Sequence, residues 1–425
     1  MRKQRYILLA ILPTFFVISC NRTNEIIYNE SDVPNYKLPE LMISEEGRVI
    51  SDKQDWTAVR KSEILEQFAN EVYGHIPDLA YAIRFRERII ADNYLDGAAT
   101  IREIEAEVSS INGADKFTIL YVHPTGKRNI PVFVGLNFRG NHTVDTLTEI
   151  TIHDRWVPNN EKLKITDHLS TPESRGTKSS RWPLASIIGN GYGVATVYCG
   201  EFDPDYDDGY MNGFHPVFAP AGKQRNNQSP GTISIWAKGM SLMADFLIQD
   251  SIADPSRLIA IGHSRLGKTA LWCGVNDERF SAVISNSSGC GGAALSMRSF
   301  GETVERINEV FPHWFSGSFK NYNGRENKLP VDQHMLLALV APRPVYVASA
   351  TDDQWADPLG EFLALKEAVP VYELFGYAKE FPLSQPLPDK PYHGITGYHL
   401  RSGSHDITEY DWIQYISWCN KWLGN

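Results

Sequence analysis

Trp56, Val59, Ile64, Leu65, Phe68 and Val72 recur at the three-to-four-residue spacing of a single helix face, and Gly74 stands where that helix should stop. Beyond it the pattern changes to short unbroken apolar runs, FTILYVH at 117–123 and IPVFVGLNF at 130–138, which predict strands. WPLASIIGNG at 182–191 reads as a short helix closed by Gly189 and Gly191, and YGVATVYCG at 192–200 as the next strand. A helix across 233–250 presents Trp236, Met240, Met243 and Leu247 on one face, and the strand RLIAI at 257–261 leads into another helix from about Leu266. The same alternation runs on through FSAVIS at 280–285, helical material to about 340, RPVYVAS at 343–349, a helix across 358–368 and a last strand at 395–400. The final helix opens with Thr408 three residues before Asp411, as in a capping box, and its apolar face is read as Trp412, Ile413, Ile416 and Leu423. Strands alternating with helices predict an α/β fold of three layers, a mostly parallel central sheet covered on both faces. No repeat or low-complexity linker interrupts the pattern, so one domain is expected over 46–425, preceded by a polar tether at 21–45.

The first 20 residues depart from this pattern. Arg2, Lys3 and Arg5 precede an apolar run from Tyr6 to Ile18 that is too short to span a bilayer, and then come Ser19 and Cys20. Val17-Ile18-Ser19-Cys20 resembles a bacterial lipobox, which makes Cys20 the lipidated first residue of the exported chain. Export to the cell envelope is therefore expected, with the protein anchored on the periplasmic side or at the outer-membrane surface. The net charge of −10 becomes more negative once the leader leaves, and it excludes nucleic acid as a partner, because phosphate binding needs a basic footprint. Cys199, Cys273, Cys290 and Cys419 show no C-x-x-C spacing and fit either buried thiols or disulfides whose pairing the sequence does not define.

The segment IAIGHSRLGKTALW at 259–272 carries two overlapping motifs. Gly262 to Thr269 spells the G-x-x-x-x-G-K-T of a phosphate-binding loop, while Gly262-His263-Ser264 spells the front of a G-x-S-x-G nucleophile elbow. Each needs a strand, a tight turn and a helix. Nucleoside triphosphate is scarce outside the inner membrane, and several strands precede Gly262 where a phosphate loop usually follows the first. An elbow instead sits mid-sheet and is followed by an acid and then a histidine. ATDDQWADP at 350–358 supplies Asp352, Asp353 and Asp357 after one strand, and RSGSHD at 401–406 supplies His405 after the last. A serine hydroxyl is a weak nucleophile at neutral pH, so an imidazole must take its proton and a carboxylate must orient that imidazole. The order Ser264, Asp353, His405 fits an α/β-hydrolase. The second glycine of the elbow, Gly267, is one place later than G-x-S-x-G requires.

GHSRLGKTALW resembles the glucuronoyl esterases, carbohydrate esterase family 15, whose elbow reads G-[CH]-S-R-x-G-K. The likeness extends through WAKGMSLMADFL, FPHWF at 311–315, LPVDQHMLLALVAPRP at 329–344, DDQWADPLGEF at 352–362 and GSH at 403–405. The resemblance implies Ser264 as nucleophile, His405 as base, Arg265 as oxyanion stabiliser, and Lys268, Glu302 and Trp355 as sugar contacts. It also implies esters of (4-O-methyl) glucuronic acid on glucuronoxylan, where that acid is joined to lignin alcohols, as substrate; no cofactor is needed for such chemistry, and a monomer is expected. Many family members carry a glutamate where this chain has Ser287, so the acid is expected from the next loop, with Asp353 first and Asp352 second.

Two rival activities use the same features: an acetyl xylan or feruloyl esterase with the same triad, and a glycan-binding lipoprotein without catalysis. His393, His399 and His405 lie six apart, a spacing that suits no helical ligand pair, so no metal is expected there. EFDPDYDDGY at 201–210 lacks the spacing of an EF-hand calcium loop and reads as a loop near the site mouth.

Overall fold

The computed structural model of the chain describes residues 26–75, 79–219, 222, 224–377 and 381–424. The leader and Cys20 lie outside them. Nine strands form one sheet: β1 (Ala82–Tyr94), β2 (Ala99–Ser110), β3 (Gly113–Pro124), β4 (Ile130–Asn137), β5 (Gly193–Tyr198), β6 (Ala253–His263), β7 (Phe280–Asn286), β8 (Val345–Ala350) and β9 (Thr396–Arg401). Their order is β1-β2-β3-β5-β4-β6-β7-β8-β9. β1, β2 and β3 form an antiparallel ribbon, β3 meets β5 antiparallel, and β5, β4 and β6 to β9 run parallel. The fold is the α/β class with a mostly parallel centre.

The two faces of the sheet bury separate clusters. On one, the helices Thr232–Leu247, Arg265–Asn276, Gln333–Ala338 and Pro358–Leu374 bring Trp236, Met240, Leu271 and Leu365 against Val132, Val134, Leu258 and Val345. On the other, the helices Leu184–Gly189 and Glu409–Leu423 bring Ile187, Trp412, Ile416 and Trp418 against Phe133, Ile259 and Ile284. The helix Thr232–Leu247 is buried on almost every side, so the face read from its sequence understates its contacts. In the C-terminal helix the Asp411 carboxylate accepts from both the Thr408 N–H and its hydroxyl. Its inner face, however, is Trp412, Tyr415, Ile416, Trp418 and Cys419, and Ile413 points outward. Residue 413 sits about 100° around the helix from 412, enough to leave a narrow contact stripe.

The strands β1 and β2 have no counterpart in the apolar pattern. β1 is an edge strand rich in charge, and its Arg84, Arg86 and Arg88 stand across from Glu107, Glu105 and Glu103 of β2. Cross-strand pairs of opposite charge stabilise such a ribbon, and a charged edge discourages pairing with other chains. Beneath them Ile104, Ala106 and Val108 alternate into the core. Within the stretch read as a tether, the chain is docked from Ile27 on: Ile27 bridges Phe300, Glu30 pairs with Arg298 at 2.6 Å, and Leu41 is buried. All four described cysteines, Cys199, Cys273, Cys290 and Cys419, are buried free thiols.

Candidate active site

Ser264 lies between the end of β6 and the helix Arg265–Asn276, with φ 58° and ψ −131°. That backbone is rarely adopted by a residue with a side chain, and it thrusts the hydroxyl outward from the turn. The turn closes because Gly262 has no Cβ: one placed there would lie 1.9 Å from the Leu266 carbonyl oxygen. Gly267 explains the displaced second glycine. A Cβ on it would stand 3.0 Å from both Ser285 Oγ and Ser288 Cβ, so the glycine lets the elbow helix approach β7 and its loop.

His405 and Asp353 come to the same strand ends from the loops after β9 and β8. The Ser264 hydroxyl and His405 Nε2 are 3.0 Å apart, and His405 Nδ1 is 2.6 Å from Asp353 Oδ2. Asp353 is 5% exposed, whereas the side chain of His405 is 41% exposed and can meet substrate. Asp352 turns away: its carboxylate accepts from the Thr351 hydroxyl and it is exposed. Arg401 shapes the histidine loop by donating to the carbonyls of Ser402, Ser404 and Asp406 while its Nε meets Asp411. His399 is committed to Asp411 at 2.8 Å, a structural pairing. His263, the residue before Ser264, packs against His405 with ring centroids 4.5 Å apart and the rings tilted by 40°. Burial, and then the His405 charge, push its pKa well below the usual imidazole range, so it remains neutral beside the relay.

At Ser287, φ is 45° and the hydroxyl is buried without a partner. The loop that follows is held from two sides. Lys268, on the elbow helix, donates from Nζ to the Ser288 and Cys290 carbonyls. Glu361 accepts the Ser288 and Gly289 N–H groups at 2.7 and 3.0 Å, and its other oxygen accepts the Ser349 hydroxyl at 2.6 Å. Burial pushes the Glu361 carboxyl up to about 8, and the nearby Asp353 charge adds to the rise. A carboxyl whose folded pKa is raised from 4.5 to about 8 contributes stability that is fully present below 4.5 and lost as pH rises to 8. Glu361→Gln copies the neutral acid. Its melting temperature relative to wild type is therefore expected to rise from pH 5 to pH 8 and level off above, as thermal denaturation across that range will test.

Lys268 is buried and lies 3.8 Å from the partly buried Glu302, whose carboxyl burial raises against the opposing pull of Lys268. Trp355 is half-buried, and its carbonyl accepts the Glu302 N–H at 3.0 Å. Arg265 opens the elbow helix with its N–H at the first helical position, where no preceding carbonyl of the helix can receive it. Its Nε lies 2.8 Å from Asp205 Oδ2, a charge contact without hydrogen-bond alignment, and its guanidinium packs over Phe138 and Trp314. Burial raises the Asp205 carboxyl, but Arg265, His313 and Trp314 outweigh it and hold the carboxyl at about 2. Asp205, Glu361 and Arg401 are functional supports that the motif analysis did not single out. Asp205 belongs to the acidic 201–210 loop, whose role is thus to hold Arg265.

A family model described as "Glucuronyl esterase, fungi" matches residues 224–376. A carbohydrate esterase from an unknown prokaryotic organism is 42% identical over 395 residues, 92% of this chain and 91% of its own. A solved structure, a promiscuous esterase of carbohydrate esterase family 15 from a marine bacterial metagenome, superposes with a TM-score of 0.88 at 42% identity, covering 94% of this chain and 100% of the other. The glucuronoyl esterase from Solibacter usitatus gives a TM-score of 0.85 at 39% identity, over 93% of this chain and 100% of that one.

Proposed function

The chain belongs to the glucuronoyl esterases of carbohydrate esterase family 15, and from that premise we propose that it hydrolyses esters of (4-O-methyl) glucuronic acid on glucuronoxylan through a serine acyl-enzyme. The observation that carries this reading is the unbroken relay from Ser264 through His405 to Asp353, at 3.0 and 2.6 Å. His405 Nε2 takes the Ser264 proton as the oxygen attacks the C6 carbonyl, and Asp353 holds the other ring nitrogen protonated and stabilises the imidazolium. The same imidazolium then gives its proton to the departing alcohol. Water, deprotonated by His405, attacks the acyl-serine and releases glucuronate together with the restored hydroxyl.

Negative charge on the carbonyl oxygen is met by Arg265, through its backbone N–H and the guanidinium nitrogens that Asp205 does not occupy. Losing one such donor costs about 10²- to 10³-fold in kcat. Arg265→Ala is therefore expected to lower kcat by that factor with a small change in KM; steady-state kinetics showing the reverse would assign Arg265 to ground-state binding. Lys268, Glu302 and Trp355 would contact the hydroxylated ring of the acyl group, which an acetyl or feruloyl ester lacks.

The test of the reading is competition among benzyl glucuronate, acetylated xylan and methyl ferulate. Preference for the glucuronate ester supports it, and preference for either of the others overturns it. This choice of substrates is pointed because one relative is described as promiscuous.

We further infer that Cys20 carries lipid and holds the enzyme at the cell envelope, supported by its lipobox-like setting. Cys20→Ala should move the protein from the membrane to the soluble fraction, and retention of the variant in membranes would overturn the inference.

A further inference from the structure

Beyond the triad, the loops after β4 enclose a cavity of about 290 Å³ whose wall carries Arg139, Lys162 and Lys178 and no carboxylate. Apolar surface from Val157, Leu163 and Ile165 lines the remainder. The sign of this recess runs against a chain of net charge −10. Neighbouring cations of the same loops are spent on partners: Lys164 on Glu173, Arg155 on Asp115 and Arg181 on Asp406. Among the described residues, Arg139, Lys162 and Lys178 make no ion pair. Burial, then the Arg181 and Arg139 charges, lower the Lys178 pKa against the opposing pull of Asp406.

Shared neighbours link the recess to the reacting centre. It lies at the C-terminal ends of the parallel strands, the edge where α/β sheets bind ligands and where Ser264 and His405 stand. Arg139 follows Phe138, whose ring lies beneath both the Arg265 and Arg181 guanidiniums. Arg181 is tied to Asp406, the residue after His405. On the far side Trp156 packs on Tyr206, next to the Asp205 that holds Arg265.

We propose that this recess is a subsite for a second, free carboxylate of the ester substrate, held by Arg139, Lys162 and Lys178. It rests on the functional reading above. Such a carboxylate has two sources, the alcohol being released or another uronic acid on the glycan. Both are separable with three esters: benzyl glucuronate, 4-carboxybenzyl glucuronate, and a benzyl glucuronate ester on a xylo-oligosaccharide bearing one unesterified glucuronate.

The double variant Lys162→Gln/Lys178→Gln changes the exposed Lys162 and the half-buried Lys178 and leaves Arg139, just after β4, in place. Charge-assisted contacts of this kind support an expected fall of about tenfold in the kcat/KM ratio of a carboxylate-bearing ester to benzyl glucuronate, expressed in KM. A fall confined to the carboxybenzyl ester places the carboxylate on the alcohol; a fall confined to the oligosaccharide places it on the glycan. Ratios equal in wild type and variant for both charged esters overturn the subsite. Wild-type enzyme inactive on all three esters would instead overturn the functional reading.

Discussion

Ser264→Ala is expected to lower kcat on benzyl glucuronate by about 10⁶-fold, because in the proposed mechanism its hydroxyl forms the bond to the acyl carbon. The variant keeps the imidazole, its carboxylate and Arg265, so affinity for the product glucuronate should persist, and calorimetric titration can show it. His405→Ala should cost nearly as much, and the double variant little more than either single one, since the relay acts as a unit. The substitution at 264 removes one oxygen from a partly exposed position and leaves the turn intact. Residual turnover within a hundredfold of wild type would therefore mean that another nucleophile does the work.

The second large effect concerns the acid. Asp353→Asn keeps the shape of the contact with His405 Nδ1 but offers an N–H where a lone pair is needed, favouring the wrong tautomer of the imidazole. The expected loss is about 10⁴-fold in kcat. Asp352→Asn, at an exposed carboxylate that serves only the neighbouring Thr351 hydroxyl, should stay within about twofold of wild type, as surface substitutions usually do. Parallel kinetics on the two variants decide between adjacent residues, and a loss at 352 with activity kept at 353 would move the assignment by one position.

The parts of this architecture that local pattern specifies were legible in the chain. Apolar runs placed β3 to β9, and the loops after β6, β8 and β9 received their serine, acid and histidine because strand and loop alternate in a set order. The ribbon of β1 and β2 was not, because its edge is paired by Arg and Glu across strands, and charges alternating along one strand carry no sign of a partner 15 to 23 residues away. Nor was Ile413, since an apolar residue at the border of a helix face goes in or out according to what packs beside it. Asp205 and Glu361 escaped for a related reason. Each supports the site from a loop or helix distant in sequence, through contacts to Arg265 and to main-chain N–H groups that no spacing rule encodes.

The grip of Lys268 on two carbonyls has a stereochemical consequence. An ammonium has three hydrogens, and with two committed to the main chain a single one is left for Glu302, 3.8 Å away, or for a substrate hydroxyl. If it meets the sugar as proposed, a cation so restrained would act as a pointer rather than a flexible tether, and would tell an equatorial hydroxyl from its axial epimer. Discrimination between sugar epimers would then be written in the backbone path at 288–290, and altering it would require remodelling that loop, since exchanging the lysine would remove the pointer without redirecting it.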